Sequence, residues 1–274
     1  MATAGRAGGH GTAALVTDTL PPLVALLFAG AFGAIVGSFL NVCIHRLPLG
    51  ASIVWPSSAC PHCKRELSWY ENIPVLSWLA LRARCRTCKG PISIRYPLIE
   101  ALTAALFVLA WWFYGPGPLL ASRLVFGCAL IVLFAVDLEH QLLPNAITLP
   151  GIVAGFAFSL FTEPGWVSSL IGLTSGFGVL YLVALAYFAL RHEEGLGMGD
   201  PKMLAMVGAF LGWKLMLLTL MFGSLIGSAI GLSLIAAGRG TMKYALPFGC
   251  FLAIGAVVAA FAGPPILAWY LGFF

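Results

Sequence analysis

Charge is what this sequence has least of. Only 9% of its 274 residues are Asp, Glu, Lys or Arg, while 60% are hydrophobic; a soluble domain carries roughly 25% charged residues. A water-soluble globular enzyme is therefore excluded, and a polytopic membrane protein is expected. Aspartate is scarcer still, with Asp18, Asp137 and Asp200 the only three. Residues 1–19 have no long apolar core, which reads as a polar N-terminal tail and not as a cleavable signal peptide. No strand precedes the glycine cluster at 195–199 and no Lys-Ser/Thr follows it, which argues against a phosphate-binding loop. The net charge of +5 is modest, and no nucleic-acid partner is expected.

What is present is hydrophobic sequence in long runs. Eight apolar stretches can be marked, at roughly 20–44, 98–114, 119–138, 145–161, 166–190, 201–212, 214–236 and 246–262. They predict an all-α bundle of about eight transmembrane helices. The polar residues divide the chain into the tail, a first transmembrane helix over 20–44, a loop domain over 45–97 and a membrane domain over 98–274. The sixth stretch is short: a helix from Pro201 to Gly212 rises only about 18 Å, against a hydrocarbon core of about 30 Å. If the stretches alternate, the basic residues of 45–97 share one side with Arg191, Lys202, Arg239 and Lys243, leaving Arg6, Arg123 and Lys214 on the other. Lys and Arg mark the cytoplasmic face. Asp137, ending the third stretch, and Asp200, opening the sixth, then share that face. Gly223, Gly227 and Gly231, and likewise Gly30, Gly33 and Gly37, recur along single helix faces, as close helix packing in lipid requires.

A carboxylate beside an apolar run is costly and so a functional candidate. Asp200 ends the loop Gly195-Leu-Gly-Met-Gly-Asp200 and is followed by Pro201, so it could also cap the helix behind it. Asp137 stands in Val136-Asp137-Leu-Glu-His140, before Pro144; pairing with Arg123 or Lys202 is the structural alternative. Two carboxyls brought together share one proton. One can deprotonate a water while the other polarises a carbonyl, which hydrolyses a peptide with no nucleophilic side chain. Gly197 and Gly199 would let a substrate backbone approach. Glu139 and His140 read as solvated corner residues, and Glu193 and Glu194 as a solvated loop able to attract a basic peptide.

Four of the seven cysteines fall in the 45–97 loop as Cys60-Pro-His-Cys63 and Cys85-Arg-Thr-Cys88. Paired Cys-x-x-Cys turns can close four thiolates around a tetrahedral zinc. Such a site is closed and structural, and a loop of this size needs the staple. A disulfide or redox pair is the alternative. His62 is expected to be a loop residue. Cys43, Cys128 and Cys250 lie in or beside apolar runs and read as packing. The aromatic stretch Leu67–Trp78 suits packing over the metal or resting on the lipid bilayer.

Taken together, these residues resemble the type IV prepilin peptidases, intramembrane aspartic proteases of the GxGD type. The resemblance rests on Gly37-Ser-Phe-Leu-Asn-Val42 with Arg46-Leu-Pro48, both cysteine pairs, Trp69-Tyr-Glu-Asn-Ile-Pro74, Ile92-Ser-Ile-Arg-Tyr-Pro97 with Glu100, Asp137 with Leu143-Pro-Asn145, Gly197-Met-Gly-Asp200 and Leu246-Pro-Phe-Gly249. It implies an enzyme of the bacterial inner membrane that cleaves the short basic leader from prepilins or type II secretion pseudopilins at the cytoplasmic face. Asp137 and Asp200 hold the matching catalytic positions. The resemblance also implies N-methylation of the new N-terminus with S-adenosylmethionine, an activity tied to the cysteine loop. The chain departs from the family pattern at Ala83, where glycine is usual, and at Cys250, where proline is common. A proton-coupled transporter and a non-catalytic assembly scaffold are the readings from other classes. The first would need more polar groups across the midplane than these runs contain; the second would leave both aspartates dispensable. The sequence does not fix the oligomeric state or the binding site of S-adenosylmethionine.

Overall fold

A computed structural model describes residues 22–192, 197–238 and 246–272. The 1–19 tail, the start of the first apolar stretch, Glu193, Glu194, Gly195, Arg239 and Lys243 lie outside the described residues. Among the described residues eight α-helices follow in order: α1 (Pro22–Arg46), α2 (Leu76–Ala80), α3 (Arg95–Tyr114), α4 (Pro118–His140), α5 (Asn145–Ser159), α6 (Trp166–Arg191), α7 (Gly199–Ala236) and α8 (Phe248–Leu271). Among the described residues six helices are long and apolar enough to cross a membrane, and α5 is shorter. Within lipid only helices of this kind satisfy every backbone donor and acceptor locally.

The sixth and seventh apolar stretches fall within α7, which is broken at Gly212, where φ is 76° and ψ 171°. That backbone geometry is open to glycine and strained for other residues. Residues 199–211 (α7a) thus form a half-helix, and 213–236 (α7b) return alongside α8. The expectation that α8 ends near 262 needs correcting, because the helix continues through Pro264 and Pro265 to Leu271. Pro264 has no N–H to give the carbonyl of Ala260. The Tyr114 hydroxyl donates to that carbonyl instead, at 2.9 Å.

α7a is the centre of the molecule. Met203, Leu204, Ala205, Met206, Val207, Ala209, Phe210 and Leu211 are all buried, in a core shared with Phe126, Leu130, Leu133, Leu252 and Ala256. Small residues on its neighbours let them close in. A Cβ at Gly176 would lie 2.8 Å from the Leu204 carbonyl, and one at Gly155 would lie 2.7 Å from Phe210. The predicted glycine rows do the same elsewhere: Gly33 and Gly37 face α3, while Gly223 and Gly227 face Leu252 and Phe251 of α8. A second core joins Leu40, Cys43 and Ile44 of α1 to Ile99 of α3 and Val132 and Val136 of α4.

The ends of the bundle differ chemically. Trp112, Trp166, Trp213, Trp269 and Tyr270 are exposed at the end away from Asp137 and Asp200, in the manner of an interfacial aromatic belt. The cysteine loop and Arg191 lie at the other end.

Candidate active site and metal centre

Asp137 occupies the last turn of α4 and is buried, with 5% of its surface exposed. The first turn of α8 is packed against it. The backbone N–H of Cys250 donates to Asp137 Oδ2 at 2.8 Å, so the carboxylate sits at the positive end of that helix. A Cβ at Gly249 would come within 2.9 Å of the same oxygen, so no larger residue fits without shifting the acid. Cys250 gives a backbone donor that proline would lack, and its own thiol donates to the Phe134 carbonyl at 3.3 Å.

Asp200 lies in the first turn of α7a, half-buried. It does not cap the helix as the sequence suggested, because the helix starts one residue earlier, at Gly199, with Met198 at the cap position and no side-chain capping bond. The chain can begin the helix there because Gly199 packs directly on Leu143, whose Cβ would lie 2.8 Å from a Cβ at 199. Leu143 also touches Gly249. One leucine therefore lies against the residue before Asp200 and against the glycine beside Asp137. The two carboxyls are near enough to interact electrostatically, although 62 residues separate them in sequence. Gly197 faces open space, whereas Gly199 is used for packing and not for access.

Depth follows from the packing register. Gly176 of α6 lies against Leu204, which puts Asp200 level with about residue 180. α6 runs on to Arg191, roughly another 16 Å at helical rise. Asp200 is therefore recessed by about half a span below the end of its neighbour. Asp137 pairs with neither of the basic residues weighed from sequence. Lys202 Nζ donates to Asn145 Oδ1 at 3.0 Å, and Arg123 lies at the far end of α4.

The cysteine loop is built from two copies of one local device. Cys60 accepts from the Lys64 N–H and donates its own N–H to Arg65 O; Cys85 does the same with Lys89 and Gly90. Lys64 and Lys89, each just after a pair, both adopt left-handed backbone, with φ of 59° and 57°. The N–H of Cys63 lowers the Cys60 thiol below its ordinary pKa, and that of Cys88 lowers the Cys85 thiol to about 6. Such thiols are readily ionised for metal binding. All four Sγ atoms lie within 4.8 Å of one another, so this cluster can hold a metal ion. None of the seven cysteines forms a disulfide. His62 bridges the two turns, its Nε2 3.3 Å from the Pro91 carbonyl oxygen. Ala83, where glycine was expected, has φ of 58°, a conformation that suits glycine better.

Three acids whose roles were not legible in sequence order this loop and its junction with the membrane helices. Glu71 is buried and takes two hydrogen bonds from Arg65 Nη2, at 2.7 and 2.9 Å, and one from the Ser68 N–H. Glu100, buried in α3, accepts from the Val75 N–H at 2.7 Å, holding a residue with φ of 61°. Glu139 is not simply solvated: it pairs with Arg95 at the start of α3. The Ser68–Glu71 contact is the capping-box spacing, but the partnerships of Glu71 with Arg65, Glu100 with Val75 and Glu139 with Arg95 appear only in the folded chain.

Comparison with known proteins decides the family. Residues 31–114 match the bacterial peptidase A24 N-terminal domain, and residues 124–232 match the type IV leader peptidase family. The chain belongs to the type IV leader peptidase family. It is 39% identical to a prepilin leader peptidase/N-methyltransferase of Aeromonas hydrophila, over 88% of this chain and 91% of that one. It is 38% identical to one from Burkholderia pseudomallei strain 1026b, over 90% and 88%, and 35% identical to one from Stutzerimonas stutzeri, over 92% and 96%. No solved structure matches. Membership and six apolar helices together indicate a multi-pass protein of the inner membrane.

Proposed function

We propose that this chain is a prepilin leader peptidase that also N-methylates the exposed N-terminus, with Asp137 and Asp200 as its catalytic pair. The observation that carries the peptidase reading is the nearness of these acids, flanking Leu143 at the start of a half-helix and beside an open glycine at 197. One proton is held between the two carboxyls. The ionised carboxylate takes a proton from a bound water as its oxygen attacks the scissile carbonyl, which the protonated partner polarises by hydrogen bonding. Collapse of the tetrahedral intermediate breaks the C–N bond, and the proton taken from water goes to the departing amine. The α8 N-terminus and the Cys250 N–H hold Asp137 in position throughout. The recess around Asp200 suits a substrate whose scissile bond adjoins an apolar helix, as in prepilins and pseudopilins.

Cys60, Cys63, Cys85 and Cys88 would hold a structural zinc, whose chemistry is to cross-link the loop and not to act on substrate. S-adenosylmethionine would supply the methyl group for the second activity. The domain boundaries follow the same reading: tail 1–19, first helix 20–44, metal loop 45–97 and peptidase domain 98–274. The dyad end faces the cytoplasm, because the basic loop, Arg191 and Lys202 lie there and Arg123 and Lys214 do not.

The test is mass spectrometry of a prepilin co-expressed with this chain. Loss of the leader mass and gain of one methyl group are expected. An intact leader beside well-expressed enzyme would overturn the reading.

A further inference from the structure

The Asp200 half-helix needs something to hold its far end. The break at Gly212 takes away the regular helical partners of the last carbonyls of α7a, inside a membrane where an unpaired carbonyl is expensive. Two side chains take them up. Ser169 Oγ of α6 donates to the Ala209 carbonyl at 2.7 Å, and Arg123 Nη1 of α4 donates to the Phe210 carbonyl at 3.2 Å. The guanidinium lies over the Tyr114 ring, 5.8 Å from its centroid, and Tyr114 in turn bonds Ala260 of α8. Phe126 reinforces the junction, its ring 4.9 Å from that of Phe210.

The two helices joined here are the two that carry the aspartates. α4 has Arg123 near its start and Asp137 near its end. α7a runs the other way, with Asp200 at its start and Phe210 at its end. A slide of one helix along the other would separate the carboxyls directly. We infer that Arg123 is a positioning residue for the dyad: its hydrogen bond to the Phe210 carbonyl sets the axial register of α4 against α7a, and so the spacing of Asp137 and Asp200 some 20 Å away. A cation at the end of a helix also suits the helix dipole.

This inference rests on the proposed peptidase reading, and the experiment separates the two. Purified full-length enzyme, as wild type, Arg123→Met and Arg123→Lys, is given a prepilin for cleavage and an already cleaved pilin for methylation. Arg123→Met is expected to lower kcat for cleavage by about 10²-fold, the effect of misplacing reacting groups by about 1 Å, with KM and methylation little changed. Arg123→Lys keeps a charged donor and should recover part of the loss; it carries the test if the Met variant does not accumulate. Cleavage equal to wild type overturns the inference, and so does a parallel fall in methylation, since Arg123 would then only support the bundle. A wild type that never cleaves overturns the peptidase reading instead. The register is then read without activity, from the rate of oxidative cross-linking in Asp137→Cys/Asp200→Cys/Cys250→Ala protein. Slower cross-linking with Arg123→Met supports the inference, and an unchanged rate overturns it.

Discussion

The cysteine loop and the Asp200 half-helix solve the same problem in opposite ways. Each is a short segment that cannot hold its shape alone. The loop is held mostly within its own sequence, by the Arg65–Glu71 pair and turns closed by the Lys64 and Lys89 N–H groups that bring four sulfurs within 4.8 Å, with the Val75–Glu100 bond as its tie to α3. The half-helix is held from all over the membrane domain, by Leu143, Ser169, Gly176 and Arg123. A locally closed unit can fail by itself, without taking its surroundings with it. A segment held at many distant points fails by losing alignment.

The largest effect should come from breaking the half-helix side at its chemistry. Asp137→Asn or Asp200→Asn is expected to reduce leader cleavage by about 10²–10⁴-fold with helix content unchanged in circular dichroism. Full cleavage by either variant would remove the dyad. Next, Cys60→Ser or Cys85→Ser should lose bound zinc, read by elemental mass spectrometry. It should also open the 45–94 region to limited proteolysis while the membrane helices stay intact. If the whole bundle unfolds instead, the loop is not an independent unit.

Gly212→Ala would sharpen the contrast. It forces a side chain into a glycine-only backbone region and places its Cβ 2.5 Å from Ser168 Oγ, so stability should fall by about 1–3 kcal/mol or more, seen as a lower Tm in detergent. A pH scan probes the loop. Arg65 first, and the Ser68 N–H second, hold the Glu71 carboxyl below its usual range. A group depressed in the folded state stabilises it above the unfolded pKa, about 4.3 for Glu. That contribution is lost as pH falls through the lowered value. Protease resistance of the loop should therefore drop only below about pH 4, and Glu71→Gln should weaken it at neutral pH as well. The smallest effect is a gain: Ala83→Gly relieves a left-handed residue and should stabilise the loop by about 1 kcal/mol.

Much of this could be read from the chain before folding. The apolar stretches found nearly all the helices, because a segment in lipid must bond its own backbone. The two cysteine pairs found the cluster, because ligands three apart meet within one turn. Capping by Asp200 and the end of α8 were misread for related reasons. Helix boundaries there are set by Leu143 packing on Gly199 and by Tyr114 replacing the donor that Pro264 lacks, and both partners are far away in sequence. The same holds for the pairing of Glu71 with Arg65, Glu100 with Val75 and Glu139 with Arg95, which no spacing rule announces.

Sequence alone determined that this protein lives in a membrane, that the sixth apolar stretch behind Asp200 is too short to span it, and that four thiols can converge. Those are consequences of local composition and spacing. Only the tertiary structure decided that Asp137 and Asp200 come near enough to interact, that Gly249 and Cys250 of α8 close over one of them, and that Arg123 reaches the far end of the helix bearing the other. Each of these depends on the register between helices. Register is fixed by side chains packing across the bundle, which no single stretch of the chain contains.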